Sequence, residues 1–409
     1  MTRRNFSLPT NLLMEIQSSF WFRHLVKALL GVGIVVFFCE VVIYYLVLLQ
    51  CTWPLLDNAS KDAGIFSGRV NDYPLKVMMI ADTHLLGPFK GHWFDKLRRE
   101  WQMSRTYATA MTLHQPDVIV FLGDIFDEGQ WMDNMQFNKD FQRFQTLFPK
   151  PKKSTLIVTA GNHDVGFHYK MTKSLLSRFQ RLFSQSESGV EMITIKGTTF
   201  LVLNSMALDG DGCSFCASAE KDLSRFEQAL NCSLMVHEKR AVDQSCEKAL
   251  TQLPHYSRPV ILQHFPLFRS DDSVCQERDE PLGAAIEKYR ERWEVISKSM
   301  TKRLLKLNPR AVFNGHIHRS CLNVHTYEDH TTREWTLNSF SWRNTNNPSF
   351  ILSVFTPDNF AVSRCFMPKE STVLFTYLVS LMGIVLWVLF RRYRWIRYQG
   401  FVKLPLQRS

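Results

Sequence analysis

An α/β domain carried between two membrane-spanning helices is the fold class the sequence predicts, and three observations predict it. Short apolar, β-branched runs alternate with longer amphipathic stretches from about residue 70 to residue 320. An apolar stretch near each end, 28–49 and 372–390, is long enough to cross a hydrocarbon layer roughly 30 Å thick. Between them, one strand-like run after another ends in a carboxylate, an imidazole or an amide.

Residues 1–27 read as a cytoplasmic tail and 28–49 as a first span, apolar except for Glu40. That stretch exceeds a signal-peptide core, and no small-residue cleavage site follows it. The second span, 372–390, carries no charge and stops at Arg391, Arg392, Arg394 and Arg397, the chemistry of a stop-transfer signal. Lys and Arg beside a span stay on the cytoplasmic side. The tails 1–27 and 391–409 carry +3 and +6, so both are expected in the cytoplasm and residues 50–371 in the lumen or outside. The segment between the spans carries only +3 of the chain's +11, which speaks against a nucleic-acid partner and for anionic headgroups as neighbours of the tails.

Two features agree with a lumenal domain. Asn58-Ala59-Ser60 and Asn231-Cys232-Ser233 fit the glycosylation acceptor pattern. Cys213, Cys216, Cys232, Cys246, Cys275, Cys321 and Cys365 lie between the spans, where an oxidising compartment favours disulfides. Seven is odd, so one is free or pairs with Cys51 at the membrane boundary. No second Cys pair completes a zinc site with Cys213-x-x-Cys216, which reads as a loop staple.

In chain order, 50–69 is a tether and 70–366 the domain. Strands are expected at 75–80, 117–122, 155–159, 200–203, 260–263 and 311–314, and helices at 92–114, 135–148, 169–183 and 297–307. Continuous apolar strands separated by helices imply sheets covered on both faces. Residues 205–250 and 268–296, polar or Cys-bearing, read as insertions. The Trp and Phe residues of 335–350 read mainly as core, with sugar stacking the alternative.

The strand ends carry the chemistry. Asp82-Thr83-His84 follows the first strand, Gly123-Asp124-Ile125-Phe126-Asp127 the second, and Gly161-Asn162-His163-Asp164 the third. His264 and then Gly315-His316-Ile317-His318 follow two later ones. An open α/β sheet places its ligand crevice outside the carboxyl ends of its strands. Carboxylate, amide oxygen and imidazole suit Mn²⁺, Zn²⁺ or Fe, and the lack of thiolate argues against a purely structural zinc site. Any one of these pieces is commonplace in a turn; five in order are not.

The series D-x-H, G-D-x-x-D, G-N-H-D, H, G-H-x-H resembles the metallophosphoesterase superfamily across about residues 75–320. The resemblance implies a four-layer β-sandwich with flanking helices and two divalent metal ions bridged by one carboxylate. By motif, Asp82, His84, Asp124 and His318 would hold one ion, and Asp124, Asn162, His264 and His316 the other. His163 would stay unligated as general acid, with Asp127 holding its ring in one tautomer. The protein Ser/Thr phosphatase branch has a phosphate-clamping Arg after its second motif; here Glu128 stands there. An acid in that place is expected to disfavour a dianionic monoester and to suit a monoanionic diester.

With its two flanking spans, the chain resembles a membrane-bound subgroup, the GPI-anchor remodelling phosphodiesterases. That implies Mn²⁺-dependent removal of the ethanolamine-phosphate branch from the second mannose of GPI anchors, aiding ER-to-Golgi transport. GPI-anchored proteins would be the substrates, cargo-transport proteins possible partners, and the early secretory pathway, from ER exit sites to the Golgi, the location. The subgroup's C-terminal dilysine-type retrieval signal is not matched by residues 403–409. The alternatives are a lumenal hydrolase of another phosphodiester, lipid headgroup or nucleotide, and a metal-stabilised cargo receptor or scaffold.

Overall fold

The computed structural model describes residues 10–56, 74–208, 213–278 and 288–402. It separates into a helical unit built from the two ends of the chain and a larger unit, Val47–Met367. Asn58, most of the expected tether, residues 1–9 and the 403–409 tail lie outside the described residues.

In the helical unit, Thr10–Phe37 continues through a π turn, Phe38–Val42, into Ile43–Leu48, and the second helix runs Glu370–Val402. Both extend well past the expected spans. Nothing stops them, because neither 10–27 nor 391–399 contains Pro or Gly. Two stretches, Trp21–Leu48 and Glu370–Tyr398, are long and apolar enough to cross a membrane; only 11% and 6% of their most apolar windows are buried, unlike core helices. Glu40, the acid within Trp21–Leu48, sits in the π turn and accepts a hydrogen bond from Tyr377 Oη at 2.5 Å, so its polarity is satisfied between the helices.

The larger unit contains strands β1 (Leu75–Ile80), β2 (Val118–Leu122), β3 (Thr155–Thr159), β4 (Val190–Ile195), β5 (Thr198–Leu203) and β6 (Val260–Leu262). They are followed by β7 (Glu277–Arg278), β8 (Ala311–Asn314), β9 (Cys321–Tyr327), β10 (His330–Thr336), β11 (Ser349–Phe355) and β12 (Phe360–Phe366). One sheet has the order β12-β11-β1-β2-β3, the other β4-β5-β6-β8-β10-β9-β7. The alternation of side chains along a strand gives each sheet two buried faces. Leu75, Val77, Met79, Val118 and Val120 share an inner layer with Phe200, Val202, Val260, Leu262 and Phe313. Met78, Ile80, Ile119 and Phe121 point the other way, into a core shared with Met103, Tyr107 and Phe144 of the helices Trp93–His114 and Asn134–Leu147. Leu201, Leu203, Ile261 and Val312 on the second sheet belong with Leu223 and Leu304 of Ser214–His237 and Lys298–Lys306. Helix, sheet, sheet and helix make the four layers expected. Each large side chain buried this way contributes about 1.5–3 kcal/mol.

The expected strands and helices are present, with boundaries set by caps. His92, Asp133, Thr172 and Ser297 each accept a hydrogen bond from a backbone N–H in the first turn of the helix that follows. Thr172 explains why the third helix starts at Lys173 and not at 169. β4, β7 and the four strands β9 to β12 were not among the expected strands. Trp335, Phe340, Trp342 and Phe350 are buried, so the aromatic residues of 335–350 are core and not a sugar platform.

Disulfides join Cys213 to Cys216, Cys232 to Cys246 and Cys275 to Cys321. Cys213–Cys216 is a local staple, as its spacing suggested. Cys365 is the odd cysteine, and its thiol is hydrogen-bonded to Cys51.

Candidate metal centre

Each residue expected to carry chemistry lies at the carboxyl end of a strand that runs parallel to a neighbour. The first sheet delivers Asp82 and His84 after β1, Asp124 and Asp127 after β2, and Asn162 and His163 at the start of the short helix Asn162–Val165 after β3. The second sheet delivers His264 after β6 and His316 and His318 after β8. The two edges meet. Asp82, His84, Asp124 and His318 bring ligand atoms within 4.8 Å of one another, and so do Asp124, His264 and His316. Asp124 belongs to both groups. Asn162 Oδ1 lies 3.1 Å from His264 Nε2, which places it in the second group.

Backbone conformation aims these side chains. Asp82, His84, Asp124, His316 and His318 all have positive φ, between 45° and 72°. Such strain persists only where the surroundings impose it. Gly123, at φ +84°, and Gly161 allow the loops after β2 and β3 to touch: a Cβ on Gly161 would collide with the Asp124 backbone, and one on Gly123 with the His264 ring. Buried Asp164 ties these loops together, accepting from Phe126 N–H and Gly161 N–H, each at 2.9 Å. Burial and the nearby charge of Asp124 push its carboxyl up to about 7.

Hydrogen bonds fix which nitrogen each imidazole turns inward. His264 donates Nδ1–H to the Leu122 carbonyl at 2.7 Å, so Nε2 faces Asp124 Oδ2 at 3.3 Å. His84 donates Nδ1–H to Asp127 Oδ1 at 3.1 Å, so its Nε2 faces His318 Nε2 at 2.9 Å and Asp124 Oδ2 at 3.6 Å. His316 donates Nε2–H to the Trp293 carbonyl at 2.9 Å, leaving Nδ1 buried with no hydrogen-bond partner among the described residues. Lone pairs facing one another in a buried site need a cation between them. The ionisation states match this need. Burial and His264 push His316 down to about 3, and burial lowers His84, so both are neutral donors. Burial works against charge on Asp124, but His264 and His163 outweigh it and hold the carboxyl well below its usual range. Burial likewise opposes His264's charged form, yet Asp124 lifts it to about 9, so a cation would displace that proton. The residues present fit a two-metal centre.

One expectation is made more specific and one is corrected. Asp127 orients His163 through its main-chain oxygen, which accepts from Nδ1 at 2.8 Å; its carboxylate serves His84 and is 3.5 Å from His163. Glu128 does not face a substrate. It is buried, and its oxygens accept from the backbone N–H groups of Phe89 and Lys90 at 2.8 and 2.6 Å. It therefore contributes nothing to a choice between monoester and diester.

The positive charge beside the centre comes from elsewhere. Arg343 Nη2 lies 3.1 Å and Lys90 Nζ 3.5 Å from Asp127 Oδ2, the carboxylate oxygen away from His84. Arg343 belongs to the loop between β10 and β11, where Ser339 Oγ donates to the Asp82 carbonyl at 2.7 Å and Asn344 Nδ2 reaches His318 Nε2 at 3.5 Å. Reading of the sequence missed Arg343, Asn344, Lys90 and Trp293, because none belongs to a motif and the loop holding the first two joins unexpected strands.

This four-layer sandwich with a paired-metal donor set at its strand ends defines a dimetal phosphoesterase. The model of the calcineurin-like phosphoesterase family matches residues 75–320, and the chain belongs to that family. It is similar to proteins named Metallophosphoesterase 1: 43% identical over 351 residues to that of Danio rerio, covering 85% of this chain and 87% of that one. With that of Gallus gallus it is 41% identical over 379 residues, 92% of this chain and 91% of the relative. Among solved structures, it is similar to a dimetal phosphatase from Danio rerio at 12% identity and a TM-score of 0.40, covering 72% of this chain and 99% of that one. The protein is a metal-dependent phosphoesterase, and its fold implies two divalent ions.

Proposed function

We propose that the protein is a lumenal Mn²⁺-dependent phosphodiesterase that removes the ethanolamine-phosphate branch from the second mannose of GPI anchors. The observation that carries the reading is that a phosphoesterase domain is bracketed in the chain by two helices long and apolar enough to cross a membrane. A substrate fixed to the same membrane meets such an enzyme far more often than a dissolved one. The resemblance of the whole chain to the GPI-remodelling subgroup narrows that substrate to a glycan-borne diester.

Asp82, His84, Asp124 and His318 would hold one cation, and Asp124, Asn162, His264 and His316 the other. When bound, the pair supplies Lewis acidity to phosphoryl oxygens and acidifies a water. His163, ring Nδ1 held by the Asp127 carbonyl, gives the proton of its other nitrogen to the departing mannose oxygen, so that the phosphate leaves with ethanolamine. Arg343 and Lys90 share one negative charge on Asp127, which leaves a net positive charge toward the phosphoryl group, matched to the single negative charge of a diester.

Purified full-length protein should release ethanolamine phosphate from a GPI glycan in the presence of Mn²⁺ and not after chelation. Faster turnover of a phospholipid headgroup or nucleotide diester under the same conditions would reassign the substrate.

The orientation is tested separately. With both tails cytoplasmic, Asn58 or Asn231 carries glycan, and protease added to sealed microsomes spares residues 50–371; Asn231 is exposed on the helix Ser214–His237. Digestion of that segment in intact vesicles would turn the domain to the cytoplasm and remove GPI anchors from its reach.

A further inference from the structure

We propose that Trp293, with Phe167 and Tyr169, forms an aromatic platform beside the metal centre that takes the face of a sugar ring of the substrate. This rests on the reading of the substrate as a glycan-borne phosphodiester.

The platform is tied to the chemistry by one bond. The Trp293 main-chain oxygen accepts His316 Nε2–H at 2.9 Å, so the turn that carries the indole cannot leave the site without releasing a side chain of the metal donor set. From His316 an aromatic run leads outward: its ring lies 4.2 Å from Phe265 by centroids, Phe265 lies 6.2 Å from Phe167, and Phe167 lies 5.3 Å from Trp293. Tyr169 closes the group, 5.5 Å from Trp293 and stacked on Phe167 at an interplanar angle of 10°.

Its inner end is buried and its outer end is not. Phe265 is 3% exposed, whereas Trp293 is 39% and Tyr169 59% exposed. Large aromatic side chains open to solvent forgo the burial that ordinarily favours them, unless something covers them. The C–H faces of a pyranose are apolar and slightly positive, complementary to the negative face of an aromatic ring. The rim suits the rest of such a ligand. Arg290, paired with Glu294, lies over the indole at 4.8 Å and Lys170 over the Tyr169 ring at 5.7 Å, so donors for sugar hydroxyls stand at the rings, and a sugar face would take the place of the guanidinium over the indole.

An apolar lipid chain would meet those two cations at the edge, which makes it the poorer occupant. The chain thus meets substrate at two places. Arg343 and Lys90 stand on the Asp127 side, for the phosphoryl group, and the rings stand on the His316 side, for the sugar. The 268–296 insertion contributes to the site through Trp293.

Binding of a phosphate-free mannose oligosaccharide to the full-length protein in detergent, by titration calorimetry, tests the platform without any turnover. The wild type should bind, Trp293→Ala and Tyr169→Ala should each weaken binding by about tenfold, and Trp293→Phe should retain most of it, because one aromatic contact is of that order. In kinetics, kcat/KM for a mannose-linked diester relative to methyl p-nitrophenyl phosphate should fall by a similar factor in the two alanine variants. Failure of the wild type to bind the oligosaccharide, or binding by both alanine variants as tight as wild type, overturns the platform. Failure of the wild type to release ethanolamine phosphate overturns the GPI reading instead, and the calorimetry still decides the platform.

Discussion

Asp124→Asn should strip the protein of both metals at once, with turnover of any phosphodiester falling to background. Among the described residues, Asp124 is the one carboxylate common to the two donor groups. The change keeps shape and removes charge. Oδ1 already accepts the His163 backbone N–H at 2.8 Å, so the carboxamide oxygen takes that position and its NH₂ is left facing His84 and His264. Donor hydrogens then occupy the space between the lone pairs. Loss of a group that merely orients a ligand costs about 10-fold to 100-fold in metal affinity, and loss of a shared ligand should exceed that for each ion. Asn162→Ala, which removes a neutral oxygen from one group, should weaken chiefly one. Elemental analysis of the purified variants counts the ions: two retained per chain in Asp124→Asn would show that the bridge lies elsewhere.

How much of this site was legible in the sequence depends on how local its cause is. The seven donors were readable because each follows an apolar run directly, and the end of a parallel strand is where a chain must turn toward the crevice. Their grouping into two sets sharing Asp124, implied by the family resemblance, is the proposed arrangement, and the spacing of the Asp and His ligand atoms supports it. The atom by which Asp127 holds His163, and the direction of Glu128, escaped for one reason: a motif gives residue types in order, not which atom points where. The Asp127 carboxylate turns to His84 and its carbonyl to His163, and Glu128 turns back to cap the 87–90 loop.

Contributions over long sequence distances had no signal. Arg343 reaches Asp127 across more than two hundred residues, and Trp293 meets His316 through a main-chain oxygen that any residue possesses. The strands β9 to β12 escaped for a related cause. In β9 and β10, exposed Thr326, Thr331 and Arg333 and inward-turned Asn323, His325 and Glu334 dilute the apolar pattern, and the two strands are specified by pairing with each other. With no strands expected after residue 314, the loop that carries Arg343 and Asn344 had no frame in the sequence.

His163→Ala should separate chemistry from metal binding. The imidazole is not in either donor group of the expected centre, and its ring is held by the Asp127 carbonyl and lies edge-on to His84 at 4.7 Å, so truncation leaves the Asp124 and His264 contacts and the His84–Asp127 hydrogen bond in place. One anchor is kept: the backbone N–H of residue 163 still donates to Asp124, which holds that loop in place. The variant should therefore retain both metals, fold and substrate affinity while kcat falls about 10²-fold to 10⁴-fold, the usual range for a lost proton-transfer group. A substrate with a better leaving group no longer needs the proton, so the deficit should shrink across a series of aryl and alkyl phosphodiesters as leaving-group pKa falls. If His163 only binds phosphoryl oxygens, good and poor leaving groups should suffer alike. A penalty independent of leaving-group pKa would move His163 from proton donor to anion ligand, and would pass the departing oxygen's proton to a group not yet identified or to solvent.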